Sequence, residues 1–147
     1  DIGSYIKNKH GLVIGEHTAE KIKMELGTAL RVDDPETMDV RGRDVATGMP
    51  KQITVNHNEI EEALHDTLEQ IVSAAVNVLE TIPPELASDI IDRGIMLTGG
   101  TSLLKGVDQL FSARLKVPVV VSQDPLDNVA KGAGEMLERM QKTERKK

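Results

Sequence analysis

Two adjacent glycines, Gly99 and Gly100, mark the part of this sequence best suited to hold a ligand. The four apolar or β-branched residues 95–98 before them predict a short strand buried on both faces. Thr101 or Ser102 is placed to cap a helix that would start directly after the glycines. Missing side chains let a ligand lie against the backbone, and a helix N-terminus offers free N–H groups. This pattern indicates a nucleotide or phosphate site, but a tight turn that binds nothing explains it equally well.

Standard catalytic and phosphate-binding motifs are not found elsewhere in the sequence. No Lys follows the glycines as it does in a Walker loop, and no G-x-G-x-x-G fingerprint is present. The four histidines lack the spacing of a metal site. No Ser/His/Asp or Cys/His set can be recognised, so we predict neither a catalytic residue nor a metal ligand in this chain.

A second pair of residues with chemical potential is Glu20 and Lys23. The pattern predicts a helix that begins near residues 16–18, and residues three apart on a helix are neighbours in space. Taken alone, the pair reads as a solvated ion pair worth about 0.2–0.5 kcal/mol.

Composition restricts the class of protein. The 147 residues fit one domain or two small lobes, and a net charge of −6 argues against nucleic acid as the main partner. There is no cysteine, which suits the cytoplasm, and no apolar run is long enough to span a bilayer. Because the chain starts at Asp1 in a helical pattern, we expect it to be a fragment of a longer protein.

Hydrophobic periodicity predicts the elements that position these residues. Alternation at Met38 and Val40, and again at Ile53 and Val55, predicts a small antiparallel sheet with one apolar face. Asn58 is the predicted cap of a long amphipathic helix that Pro83 and Pro84 stop. A last helix is predicted to begin at residues 124–125 and to bury an apolar face. That face consists of Val129, Ala130, Ala133, Met136, Leu137 and Met140.

Several stretches together resemble the bacterial actin homologues of the MreB/Mbl family. The Thr98-Gly99-Gly100 loop is shared with the whole superfamily of actins, sugar kinases and heat-shock chaperones. The sequences Val40-Arg41-Gly42-Arg43 and Pro83-Pro84-Glu85-Leu86 are typical of the rod-shape branch. The similarity covers nearly the whole chain in the family's order, through residues 14–27, 40–44, 83–90, 93–100, 124–126 and 129–134.

The resemblance implies an α/β fold of the actin-like ATPase (ribonuclease H-like) type, of which this chain would be the second half only. Residues 1–66 would form the small α+β outer lobe, subdomain IIB. Residues 67–147 would belong to the inner α/β lobe, subdomain IIA.

The same resemblance implies that ATP is the cofactor, with its adenosine between the two lobes. Gly99, Gly100 and Thr101 would form the floor, although many members of the family carry Gly where this chain has Thr101. Glu20 and Lys23 would reach the ribose, and the base would be bordered by Met24, Gly27 and Leu103. The phosphate loops and the acids that hold Mg²⁺ would lie in an absent N-terminal half. We therefore expect this chain to bind nucleotide weakly or not at all, and to be inactive as an ATPase by itself.

The function that the resemblance implies is that of a cytoskeletal filament protein. The full-length protein would be a slow ATPase coupled to polymerisation. It would form paired protofilaments with itself, organise cell-wall synthesis with the elongation machinery, and lie in the cytoplasm at the inner face of the cell membrane. Membrane attachment would use segments outside this chain. Filament contacts are expected near residues 32–50 and 87–92. The alternative is the C-terminal part of a sugar kinase or a heat-shock-type chaperone.

Overall fold

The computed structural model describes residues 1–144, which form an α/β structure with two small sheets joined by a long helix. Its helices are α1 (Ile2–His10), α2 (Glu16–Leu26), α3 (His57–Thr81), α4 (Pro84–Arg93), α5 (Val107–Leu115) and α6 (Asn128–Glu144), with a 3₁₀ turn at Gly100–Leu103. Its strands are β1 (Leu12–Val13), β2 (Thr37–Asp44), β3 (Pro50–Asn56), β4 (Ile95–Leu97) and β5 (Val119–Val121). Within residues 1–144 no helix is both long and apolar enough to cross a membrane.

The first sheet is antiparallel with the strand order β1-β2-β3, as the alternation predicts. Val40 pairs with Ile53, and both lie on the face that packs against α2 and α3. Val40 and Val55 are fully buried. On the opposite face Asp39 accepts hydrogen bonds from Thr54 and Gln52. The period of two has therefore produced one apolar face and one polar face.

Helix α3 connects this sheet with the second one, but its cap differs from the prediction. Asn56, not Asn58, accepts hydrogen bonds from the backbone N–H groups of residues 58 and 59, and Glu59 bonds back to the Asn56 N–H. This capping box starts the helix two residues earlier than expected. Asn58 instead bonds to both backbone polar groups of Val32 and holds the loop before β2.

The second sheet is a parallel pair, β4 and β5, in which Ile95 lies opposite Val119. The prediction that β4 is buried on both faces is wrong, because Met96 and Val120 are exposed. Helix α5 packs against β5, and only one face of the pair is covered within the described residues.

Helix α6 also departs from the prediction. It begins at Asn128, because residues 124–127 form a turn in which the Asp127 N–H bonds to the Asp124 carbonyl. The apolar residues expected to face inward are exposed, Val129 and Met136 among them.

One hydrophobic core runs through both sheets. It extends from Ile6 and Ile22 near the first sheet, along Ile60 and Leu68 of α3, to Phe111 beside the second. Helix α3 crosses residue 66 without a break. The division into residues 1–66 and 67–147 therefore stays a prediction, and residues 145–147 lie outside the described part of the chain.

Candidate functional site

A cleft of about 290 Å³ lies where α2 faces the loop after β4. Helix α2 contributes one wall, the 3₁₀ turn contributes the floor, and the turn before α6 contributes a further part of the lining. The residues that line it are Glu20, Lys23, Met24, Gly27, Gly100, Leu103, Leu104, Lys105 and Leu126. Its lining is mostly apolar with a few charged side chains, which is the usual composition of a small-molecule site.

Glu20 and Lys23 are two of the charged residues that line this cleft. The Lys23 Nζ lies 3.5 Å from the Glu20 Oε1, and the Glu20 side chain is more than half exposed. An ion pair so open to water adds little to stability. A carboxylate that accepts and an ammonium that donates are therefore both accessible to a ligand with hydroxyl groups.

The floor depends on the backbone conformation of Gly99. Its φ of 86° lies in a region that L residues with a side chain rarely adopt, so glycine is required there. The Gly99 carbonyl accepts hydrogen bonds from the Ser102 N–H (3.2 Å) and the Ser102 Oγ (2.6 Å). These bonds close the 3₁₀ turn and leave the Gly100 backbone open to the cleft.

The predicted helix start at Thr101 or Ser102 is wrong. Helix α5 begins at Val107, after Gly106 with a φ of 74°. A short 3₁₀ turn therefore stands where the pattern predicts a helix N-terminus with its partial positive charge.

A short β-bridge beside the cleft joins the segment after α2 to the segment after the 3₁₀ turn. The Ala29 N–H donates to the Lys105 carbonyl at 2.8 Å, and the buried Thr28 pairs with Lys105 in a short parallel bridge. Gly27 lies directly before this bridge and packs against Leu104. The spacing between α2 and the floor is thereby set by backbone contacts that join residues far apart in the sequence.

Six of the eight residues predicted for the nucleotide site line this one cleft: Glu20, Lys23, Met24, Gly27, Gly100 and Leu103. Gly99 supports the floor from below and does not line the cleft. Thr101 lines a neighbouring cavity of about 270 Å³, which shares Glu20 and Lys23 with the cleft.

Leu104, Lys105 and Leu126 line the cleft and were not predicted from the sequence. Leu126 could have been singled out from the sequence, because it is an apolar residue in an otherwise polar turn.

The MreB/Mbl protein family model matches residues 1–145. The chain belongs to the MreB/Mbl family. It is similar to cell shape-determining protein Mbl of Bacillus subtilis, with 50% identity over 147 residues that cover 100% of this chain and 44% of the relative. It is also 50% identical to cell shape-determining protein MreB of Escherichia coli over 135 residues, covering 92% of this chain and 39% of the relative.

Among solved structures, MreB5 of Spiroplasma citri bound to AMPPNP matches with a TM-score of 0.93 and 30% identity over 99% of this chain and 44% of that one. A MamK double helical filament matches with a TM-score of 0.73 at 18% identity over 93% of this chain and 42% of that one, a likeness of fold alone. These matches confirm the predicted actin-like α/β fold. The chain spans less than half the length of these relatives. Because it belongs to the MreB/Mbl family, the alternative of a sugar kinase or a heat-shock-type chaperone is not supported.

Proposed function

We propose that this chain is the nucleoside-binding part of an actin-like cytoskeletal filament protein that determines rod cell shape by organising cell-wall synthesis. The relatives that share half of its residues are named for cell shape, and the MreB5 structure it resembles holds AMPPNP. The observation that carries the proposal is the meeting of Glu20, Lys23 and Gly100 in one cleft. These residues come from separate parts of the chain.

The chemistry of the cleft fits the adenosine part of ATP. Glu20 would accept a hydrogen bond from a ribose hydroxyl, and Lys23 would donate one. The exposed side chains of Met24 and Leu103 give the base an apolar border, and the missing Cβ of Gly100 leaves room for a ring system against the floor. A volume of about 290 Å³ accommodates one nucleoside and leaves the phosphates outside.

We infer that hydrolysis of ATP requires groups outside the described residues 1–144. Phosphoryl transfer depends on Mg²⁺ and on donors placed around the γ-phosphate. Within residues 1–144 no group of three or more His, Cys, Asp or Glu side chains is arranged to hold a metal ion. As the resemblance implies, we assign Mg²⁺ and the phosphate contacts to the remainder of a full-length family member, and we expect weak nucleotide binding and no ATP turnover by this chain alone.

Self-association would use exposed apolar residues in two separate segments, the β2–β3 hairpin and α4. Val45 and Met49 are exposed at the tip of the β2–β3 hairpin, and Ile91 is exposed on α4. All three lie in the regions expected to make filament contacts. We place the assembled protein in the cytoplasm at the inner face of the cell membrane. Its partners are the cell-wall elongation machinery and the membrane, the latter through segments outside this chain.

Nucleotide binding can be tested by following backbone amide signals of the 147-residue chain by NMR as ATP is added to millimolar concentration. We expect shifts at Gly27, Gly100 and Leu103, and a much smaller response in the Glu20→Gln variant. The matched control is Glu25→Gln, which alters an exposed Lys21–Glu25 pair on the same helix. Absence of shifts, or shifts that Glu25→Gln reduces as much as Glu20→Gln does, would disprove the proposal.

A further inference from the structure

His57 is a buried histidine that does not line the nucleoside cleft, the cleft between α2 and the 3₁₀ turn. It is the first residue of α3 and is only 3% exposed. A polar side chain buried to this degree needs hydrogen-bond partners within the protein, because water cannot supply them. The partners of His57 therefore show which segments of the chain this residue holds together.

The Nδ1 atom of His57 caps the C-terminal end of α2. It lies 2.9 Å from the carbonyl oxygen of Leu26, the last residue of that helix. A carbonyl oxygen only accepts hydrogen bonds, so Nδ1 must carry the proton and donate it. The carbonyls of a helix's last turn have no partner within the helix. The Lys23 carbonyl bonds to the Gly27 N–H at 2.9 Å, and a side chain from α3 satisfies the Leu26 carbonyl.

The other contacts of His57 reach the loop before β2. The His57 N–H donates to the Glu36 carbonyl at 3.3 Å, and the His57 Nε2 lies 3.6 Å from the Glu36 Oε2. The Nε2 contact is longer than a hydrogen bond, and the Glu36 side chain is 77% exposed, so solvent screens it. The Nδ1 bond to Leu26 is therefore the main polar contact of this side chain.

The helix end that His57 holds forms part of a wall of the nucleoside cleft. Lys23 and Met24 lie in the last turn of α2 and line the cleft, and Gly27 lines it directly after the helix. Leu26, whose carbonyl accepts from His57, is itself buried. A displacement of this turn would change the distance from the Lys23 ammonium to the floor of the cleft.

We propose that His57 is a positioning residue of the nucleoside cleft. Its Nδ1–H bond to the Leu26 carbonyl fixes the last turn of α2 in the position that binds a nucleoside. This inference rests on the proposed function and adds to it a residue that touches no ligand. His57 acts through Leu26 on Lys23 and Met24. Because coupling between two sites is reciprocal, a bond that favours nucleotide binding is itself favoured when the nucleotide binds.

The test is an NMR titration of the 147-residue chain and three variants with ATP. His57→Leu keeps a bulky side chain but removes the donor, so we expect it to weaken ATP binding about two- to tenfold, the range that corresponds to one net hydrogen bond. His57→Asn should recover most of the affinity, because its amide nitrogen can take the place of Nδ1 and donate to Leu26. The control is His17→Leu, at an exposed position of α2 that lines neither of the two cavities sharing Glu20 and Lys23, and it should leave the affinity unchanged.

A second measurement needs no substitution. In the unmodified chain the Nδ1–H signal of His57 should shift when ATP is added, because the nucleotide favours the bond to Leu26. The ring signals of His10, which bonds to Glu59 on the same helix as His57, provide the comparison and should stay unchanged. A residue that only stabilises the core would show no such response to the nucleotide.

Three results would overturn the role of His57, and only the last also removes the proposed function. Unchanged ATP affinity in His57→Leu, beside a loss in Glu20→Gln, would make His57 a core residue and leave the nucleoside cleft in place. Equal losses in His57→Leu and His57→Asn would show that the Nδ1 donor is not responsible. No response of the unmodified chain to ATP would overturn both proposals. Thermal unfolding curves show whether each variant is folded. If His57→Leu is not, the His57 signal of the unmodified chain decides, and its failure to shift while Gly27 and Gly100 respond overturns the role of His57 alone.

Discussion

Gly27 lies so close to Leu104 that no larger residue fits between them. A Cβ on Gly27 would come 2.6 Å from the Leu104 Cδ2 and 2.2 Å from the Lys23 carbonyl oxygen, which belongs to the last turn of α2. The φ of Gly27 is −63°, an ordinary value for any residue. Glycine is therefore required here for space and not for backbone conformation. This contact sets how closely α2 approaches the floor of the cleft.

We predict that Gly27→Ala destabilises the chain by about 1–3 kcal/mol, the usual cost of forcing an extra methyl group into a packed site. Urea unfolding of the two proteins would measure the difference. Gly134→Ala is the matched control, because nothing lies within 4 Å of a Cβ at that position of α6. The control should gain about 0.5–1 kcal/mol, as alanine is the better helix former. Equal effects of the two substitutions would contradict the role given to Gly27.

A second prediction concerns the ribose. If Glu20 and Lys23 bind its hydroxyls, the chain should prefer ATP over 2′-deoxy-ATP by about two- to tenfold, which corresponds to the net 0.5–1.5 kcal/mol of one hydrogen bond. Lys23→Met keeps the aliphatic stem and removes the amine, so it should lower the affinity for ATP and reduce this preference. Lys21→Met, on the same helix but outside the cleft, should leave both affinities unchanged. Calorimetric or NMR titrations with the two nucleotides would measure them, and a preference untouched by Lys23→Met would refute the assignment.

The third prediction is a pH dependence at the tip of the β2–β3 hairpin. The pKa of Asp44 is lowered to about 2, first by the backbone N–H of Thr47 and then by the Lys51 ammonium, with a further N–H from Ala46. A carboxylate whose pKa is lower in the folded state than in the unfolded one stabilises the fold above its unfolded pKa, which is about 3.9. That stabilisation is lost as the pH falls from about 4 towards 2.

We therefore expect Asp44→Asn to lower the thermal unfolding midpoint at pH 7 and to differ less from the unmodified chain as the pH approaches 2. Asp66→Asn is the control, because it alters an exposed carboxylate on α3 away from the hairpin. Thermal scans across the acid range supply the measurement. A constant difference between Asp44→Asn and the unmodified chain at every pH would show that the charge of Asp44 does not stabilise the turn.

The fourth prediction concerns self-association. If the hairpin tip contacts a second copy, Met49→Glu should reduce assembly of a full-length family member that carries this chain, without changing nucleotide affinity. Met49 is exposed and outside the nucleoside cleft, so the substitution leaves the core intact. Pelleting after addition of ATP would report assembly. Met136→Glu, at an exposed apolar position of α6, serves as a comparison, and equal loss in both variants would argue against a specific role of the hairpin tip.

Local patterns in the sequence were sufficient for most of the secondary structure. Helix α1 ends at Gly11 because glycine readily adopts the left-handed conformation found there, with a φ of 63°. The alternation at Val40 and Val55 similarly determined which face of the first sheet is buried. Such features depend on neighbours along the chain, so periodicity and turn residues reveal them. The pair of Glu20 and Lys23 was predictable for the same reason.

Features that depend on distant contacts could be decided only by the tertiary structure. Two asparagines compete to cap α3, and Asn56 does so because β3 extends to that residue, where it pairs with Thr37. The wall formed by Leu126 exists because the Pro125 carbonyl meets the Gly99 N–H. The sequence, through its resemblance to the family, predicted which residues would contact a nucleotide. The folded chain determined which of them share a cleft, because hydrogen bonds and packing between remote segments leave no periodic trace in the sequence.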